Sequence, residues 1–250
     1  MAERARLLIL GGTGEALALA EGIAGDPRLA VTTSLAGRTR NPTPPPGRVR
    51  RGGFGGMEGL RTYLEAEAID LVVDATHPFA AGMSRNAAAA CAALDLPRLL
   101  LNRPPWRPAV GDNWISVPDN AAAARRLPGL ARRVFLTVGR RELAAYTGLD
   151  DIWFLVRLID PPAEPLPLAE CEVILARGPF GEAEEAALFE RWRIDALVTK
   201  NSGGAATAAK LAAARRLALP VVMIERPVPP PGDTVERVEE ALAWVAAQRS

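Results

Sequence analysis

Residues 5–16 read Ala5-Arg6-Leu7-Leu8-Ile9-Leu10-Gly11-Gly12-Thr13-Gly14-Glu15-Ala16. An apolar run, a glycine turn and an Ala/Leu-rich stretch, in that order, are the sequence form of a β-strand entering an α-helix through a tight bend. Such a bend exposes backbone N–H groups at a helix N-terminus, where the helix dipole favours an anion. Glycine permits the bend and lets a phosphate approach with no Cβ in the way. Gly12 and Gly14 occupy the first two glycine positions of the dinucleotide fingerprint G-x-G-x-x-G/A, and Leu17 stands at the third. Gly11 and Gly12 can also serve as plain turn residues, but the flanking strand and helix favour the phosphate reading. A carboxylate beside a pyrophosphate repels it, so Glu15 is expected to serve the helix start instead.

Working outward, strand-like runs at residues 7–10, 30–35, 47–51, 69–75, 99–101, 114–117, 134–138, 152–158, 173–176, 194–199 and 221–224 alternate with helical stretches. The helices are expected near residues 15–24, 57–67, 80–94, 181–192, 205–218 and 234–247, the last amphipathic. Continuous apolar strands alternating with helices predict an α/β fold with mostly parallel sheets covered on both faces. The length fits two Rossmann-like domains, residues 1–110 and 111–250, joined near 108–113.

Composition narrows the function. The 250 residues are 49% hydrophobic, and 30 basic against 29 acidic residues give a net charge of +1. That balance argues against nucleic acid and anionic membrane as partners. Cys91, Cys171 and the lone His77 are too few for a structural zinc site or a disulfide framework, so no metal is expected. No stretch approaches about twenty uninterrupted apolar residues, and no signal core precedes the first strand, so a cytoplasmic protein is the expectation. Lys200 and Lys210 are the only lysines; every other basic residue is arginine, whose fork suits carboxylates and phosphates.

Ligands of open parallel sheets sit beyond the carboxyl ends of the strands, and the unusual residues of this chain fall there. Ala36-Gly37-Arg38-Thr39-Arg40 follows the second strand. An acid at that place holds the ribose of NAD; Arg38 and Arg40 suit a 2′-phosphate, so NADP is the reading, against a solvated loop arginine. Gly52-Gly53-Phe54-Gly55-Gly56 follows the third and either admits a ligand to its backbone or is a flexible surface loop. Asp74-Ala75-Thr76-His77 follows the fourth; His77 is a proton donor or a turn-fixing residue. Gly139-Arg140 and Lys200-Asn201-Ser202-Gly203-Gly204 close strands in the second half. The latter loop opens a helix, either to hold an anionic group or through a cap by Ser202. Arg103 also follows a strand, with Trp106 nearby as a flat apolar surface.

Several chemistries are excluded. There is no G-x-x-x-x-G-K-[ST] phosphate loop and no G-x-S-x-G nucleophile elbow. Neither Tyr63 nor Tyr146 has a lysine four residues later, so the tyrosine–lysine relay of short-chain dehydrogenases is absent.

Taken in order, the 11–15 loop, Ser34-Leu35-Ala36-Gly37-Arg38-Thr39, the 52–56 loop, Asp74-Ala75-Thr76-His77-Pro78-Phe79-Ala80, Phe135-Leu136-Thr137-Val138-Gly139-Arg140 and Thr199-Lys200-Asn201-Ser202-Gly203-Gly204 resemble the precorrin-6A reductase family of cobalamin biosynthesis. The resemblance implies NADPH-dependent reduction of the C18=C19 bond of an anionic tetrapyrrole-derived macrocycle, to give precorrin-6B. It implies a cofactor domain, a substrate-covering domain and a cleft between them. The cofactor contacts it implies are Gly11, Gly12, Thr13, Gly14, Glu15, Arg38, Gly53, Asp74, Ala75, Thr76 and His77. The substrate contacts are Arg103, Arg140, Lys200, Asn201, Ser202, Gly203 and Gly204. Water, His77 and Lys200 stand as proton donors. A cobalt-containing substrate and a non-catalytic NADP sensor are the alternatives, and a monomer or weak homo-oligomer is expected.

Overall fold

The computed structural model describes residues 4–36 and 44–248. Two compact units emerge, Met1–Pro104 with Pro227–Ser250, and Pro105–Arg226. The first contains β1 (Ala5–Leu10), α1 (Gly14–Gly22), β2 (Leu29–Leu35), β3 (Arg48–Arg51), α2 (Met57–Ala66), β4 (Leu71–Asp74), α3 (Ala81–Ala93) and β5 (Arg98–Leu101). The second contains β6 (Asn113–Val117), α4 (Asn120–Arg126), β7 (Arg133–Leu136), a 3₁₀ turn (Arg140–Tyr146), β8 (Trp153–Leu158), β9 (Glu170–Leu175), α5 (Glu182–Trp192), β10 (Ala196–Lys200), a 3₁₀ turn (Ala205–Thr207), α6 (Ala209–Arg216) and β11 (Pro220–Ile224). The chain then supplies β12 (Asp233–Val235) and α7 (Val238–Ala247) to the first unit.

Each unit is built on one six-stranded sheet, and every strand pair is parallel. The first runs β12-β5-β4-β1-β2-β3, the strand order of a doubly wound nucleotide-binding fold with β12 as its last strand. The opening run 7–10 lies at its centre and is buried on both faces. Leu7 and Ile9 pack with α1 and α7, through Leu19, Ala241 and Val245. Leu8 and Leu10 pack with α2 and α3, through Leu60, Leu64, Ala87 and Cys91. Burial of both faces is why the run is continuously apolar instead of alternating. The second sheet runs β6-β11-β10-β7-β8-β9. Phe135, Leu155, Leu197 and Val221 turn one face of it to α5 and α6.

Two expectations change. The C-terminal segment does not belong with 111–226: β12 pairs with β5, at Thr234↔Leu100, so residues 227–250 complete the first sheet. The helix expected from 234 begins at Val238, because Asp233, Thr234 and Val235 are held extended by that pairing. The short helix α4 is an addition, with Asp119 as its N-cap accepting from the Ala122 N–H at 2.7 Å.

Candidate active site

In a doubly wound sheet the ligand crevice opens where the strand order reverses. In the first sheet that point lies between the carboxyl ends of β1 and β4. The 11–15 and 74–77 loops meet there, tied by the Thr13 hydroxyl, which donates to the Ala75 carbonyl at 2.7 Å. The same oxygen accepts from the Ala16 N–H at 3.1 Å and caps α1. Thr13, and not Glu15, is therefore the cap. The first-turn amides of Gly14 and Glu15 have no carbonyl partner inside the helix. Gly12 holds φ +108, a conformation that L side chains rarely adopt, and a Cβ on Gly12 or Gly14 would meet nothing within 4 Å. The loop thus presents open space above bare backbone, and a dinucleotide diphosphate fits that arrangement.

Glu15 does not spoil it. Its carboxylate is ion-paired with Arg103 at 2.7 Å, so the acid beside the anion site is neutralised. Arg103, expected among the substrate contacts, accordingly sits at the first-unit loop. Asp74 is fully buried, and its Oδ1 accepts from the Thr76 N–H (3.1 Å) and hydroxyl (2.7 Å). Its Oδ2 has no hydrogen-bond partner, an orphaned buried acceptor at the crevice edge. The Nδ1 of His77 accepts from the Phe79 N–H at 3.2 Å, which leaves the ring proton on Nε2. His77 therefore fixes its own turn.

The 52–56 loop is not a loose surface loop. The Arg50 guanidinium donates to the carbonyls of Gly52 (2.6 Å) and Gly53 (2.8 Å) and lies 3.8 Å over the Phe54 ring. Phe54 is covered by Arg50 on one side and meets Tyr63 edge-on at 5.2 Å. The loop can close on α2 because residue 59 is glycine: a Cβ there would overlap the Phe54 carbonyl oxygen. Arg50 and Gly59 escape sequence reading because their partners are a loop carbonyl and a ring, which no periodicity marks. Gly37, Arg38 and Arg40 lie outside the described residues.

The second sheet reverses between β7 and β10. There the structure brings together Gly139-Arg140 and the 200–204 loop, which are far apart in sequence. Lys200 Nζ is 3.1 Å from Glu142 Oε1. Gly139, at φ +113, makes room for this pair: a Cβ would stand 3.0 Å from Glu142 Oε2 and 3.7 Å from Lys200 Nζ. Arg140 is exposed at the start of the 3₁₀ turn. Asn201 is held at both ends of its amide, accepting from the Trp106 N–H (2.8 Å) and donating to the Trp106 carbonyl (3.1 Å). Trp106 Nε1 donates to the Gly204 carbonyl at 3.0 Å. Trp106 thus clamps the 200–204 loop. The helix expected to open at this loop begins only at Ala209, after the 3₁₀ turn, and Ser202 does not cap it. The charged side chain of the loop is Lys200, in its pair with Glu142.

Behind that loop lies a cluster that sequence reading missed. Arg157 and Glu185 form a bidentate ion pair, at 3.0 and 2.6 Å, with Glu185 buried. Arg157 lies 4.0 Å over the Phe180 ring, and Lys210 Nζ lies 5.0 Å from the Trp106 ring centroid. Lys210 is only 5% exposed, and burial, aided by Arg157 and Lys200, lowers its pKa to about 7. Its one sequence signal is rarity, as one of two lysines. Among the described residues no His/Cys/Asp/Glu group could hold a metal ion, and no helix is long and apolar enough to cross a membrane. Cys91 is free, and burial pushes its thiol up to about 11, so it is no nucleophile.

A family model described as precorrin-6x reductase CbiJ/CobK matches residues 6–246. The precorrin-6A reductase of Rhodococcus erythropolis is 52% identical over 241 residues, covering 96% of this chain and 97% of that protein. The cobalt-precorrin-6A reductase of Synechocystis sp. is 31% identical over 248 residues, covering 94% of each. A solved structure titled CobK precorrin-6A reductase is 45% identical, covers 98% of this chain and 97% of its own, and superposes with a TM-score of 0.91. With the match spanning both sheets and every loop described above, the chain belongs to the precorrin-6x reductase family.

Proposed function

We propose that this chain reduces a ring double bond of precorrin-6A, with NADPH as reductant bound at the β1–β4 loops and the macrocycle's carboxylates held at the β7–β10 loops. The carrying observation is that the loops of the family pattern lie at two strand-order reversals, one offering backbone amides and the other side-chain cations. The nicotinamide cofactor supplies the hydride when bound. Gly12 and Gly14 admit its diphosphate to the backbone, Thr13 holds the two first-unit loops at a fixed separation, and Arg103 cancels the charge of Glu15. Arg38 reads the 2′-phosphate, which selects NADPH over NADH. Gly53, Asp74, Ala75 and Thr76 shape the rest of that crevice. Lys200 and Arg140 meet carboxylates, while Asn201, Ser202, Gly203 and Gly204 set the backbone that presents Lys200. His77 holds a proton on Nε2 within the cofactor loops and is the side-chain candidate for the proton that completes the reduction. The cobalt-free substrate is favoured by the identities, 52% to a precorrin-6A reductase against 31% to a cobalt-precorrin-6A reductase.

The test is spectrophotometric. Adding precorrin-6A to protein with NADPH should lower the nicotinamide absorbance in proportion to macrocycle consumed. Steady absorbance with NADPH demonstrably bound would replace the reductase by a nucleotide sensor.

A further inference from the structure

The cluster behind the 200–204 loop holds one carboxylate, Glu185, against two basic side chains, Arg157 and Lys210. Glu185 accepts two hydrogen bonds from Arg157, and no hydrogen bond joins it to the amine of Lys210, which it reaches only through its charge. The groups facing that amine are Arg157 from β8, Glu185 from α5, Lys200 from the end of β10 and the uncharged ring of Trp106. Lys210 also lies in the first turn of α6, whose dipole opposes a cation. Trp106, in contact with Lys210 on one side, clamps the backbone of the loop through Asn201 and Gly204 on the other.

Resting on the substrate site proposed above, we propose that Lys210 is a positioning residue that couples proton uptake to docking: a macrocycle carboxylate bound at the 200–204 loop brings the missing negative charge, and Lys210 takes a proton from solvent in response. Before docking, Lys210 is near half-charged at neutral pH, because its pKa lies at about 7. Lys200 is already paired with Glu142, so a ligand carboxylate at the loop adds a further negative charge that lowers the cost of protonating Lys210. By reciprocity, charged Lys210 strengthens the anion's hold. The loop then binds its ligand with more charge than an unliganded buried site can keep.

Only two lysines exist in the chain, so protein carrying ¹³C at lysine Cε gives two signals, assigned with Lys210→Met. Precorrin-6A is added without reductant near pH 8. The expected result is that the Lys200 signal moves, reporting docking, and the Lys210 signal shifts from its neutral toward its charged position. Affinity should then fall by up to about tenfold per pH unit above neutrality in the native chain, and lose that dependence in Lys210→Met. A Lys200 response with a stationary Lys210 signal overturns the coupling, as does a pH dependence that survives in Lys210→Met. Silence at Lys200, with no binding by titration, overturns the substrate site itself and this inference with it.

Discussion

Replacing Lys210 by methionine should stabilise the second unit at neutral pH, and the gain should shrink as pH rises. Methionine keeps an unbranched apolar stem in a place where the lysine is 5% exposed, and it leaves the Arg157–Glu185 pair intact. The magnitude follows from the shift of the amine from 10.5 to about 7. Below about pH 7 both folded and unfolded chains hold the proton, and folding loses on the order of 5 kcal/mol relative to an unperturbed lysine. Between about pH 7 and 10.5 the unfolded chain binds that proton and the folded chain does not. The unfolded state then binds more protons, so native stability climbs with pH, at up to about 1.4 kcal/mol per unit. The difference between Lys210→Met and the native chain should therefore narrow by about 2–3 kcal/mol from about pH 7.5 to 9.5. Urea unfolding followed by tryptophan fluorescence reports on the right unit, because Trp106, Trp114, Trp153 and Trp192 all lie within Pro105–Arg226. A difference that stays flat across this range would mean that Lys210 keeps an ordinary charge in a solvated place, and the reasoning about its cluster would fall.

Three further substitutions test the remaining parts. Arg38→Ala should weaken NADPH much more than NADH, as a charge-assisted contact worth about 1.5–3 kcal/mol is removed from one cofactor only; equal losses in a binding titration would detach Arg38 from the 2′-phosphate. Lys200→Ala should raise the KM for the macrocycle while leaving NADPH affinity nearly unchanged, and a collapse of cofactor affinity would reverse the assignment of the two loops. Gly59→Ala must displace the Phe54 carbonyl, and is expected to cost about 1–3 kcal/mol in thermal denaturation; an unchanged melting temperature would show that the 52–56 loop does not need its close seat on α2.

The long buried strands were legible because each is covered on both faces and so reads as an uninterrupted apolar run, as at 7–10, 134–136 and 196–198. β12 was not, because three residues, none fully buried, carry no pattern: Asp233, Thr234 and Val235 acquire their extended form from β5 alone. The break near 105 fell close to the expected join, but the return of the chain at 227 was missed for the same reason, since only that pairing reveals it. At the site, glycine, threonine and lysine at strand ends could be read residue by residue. Their partners could not. Arg103 meets Glu15 across 88 positions and Asn201 meets Trp106 across 95, contacts that follow from strand order and not from local spacing. Lys210 showed in the sequence only as a rare residue in an alanine-rich helix, because its meaning depends on Arg157 and Glu185, which reach it from other elements.

In the proposed reading, the two strand-order reversals each hold an anion, by different physics. At β1–β4 the acid is neutralised by Arg103, and the attraction left comes from backbone amides and a helix dipole that cannot titrate. At β7–β10 no helix begins at the loop, and the attraction would come from side chains: Lys200, which is paired with Glu142, Arg140 and, behind them, Lys210. Fixed dipoles suit a cofactor whose diphosphate must bind over a range of conditions. Titratable side chains suit a polycarboxylate whose capture can be tied to a proton, and an added reduction consumes one proton for each hydride delivered.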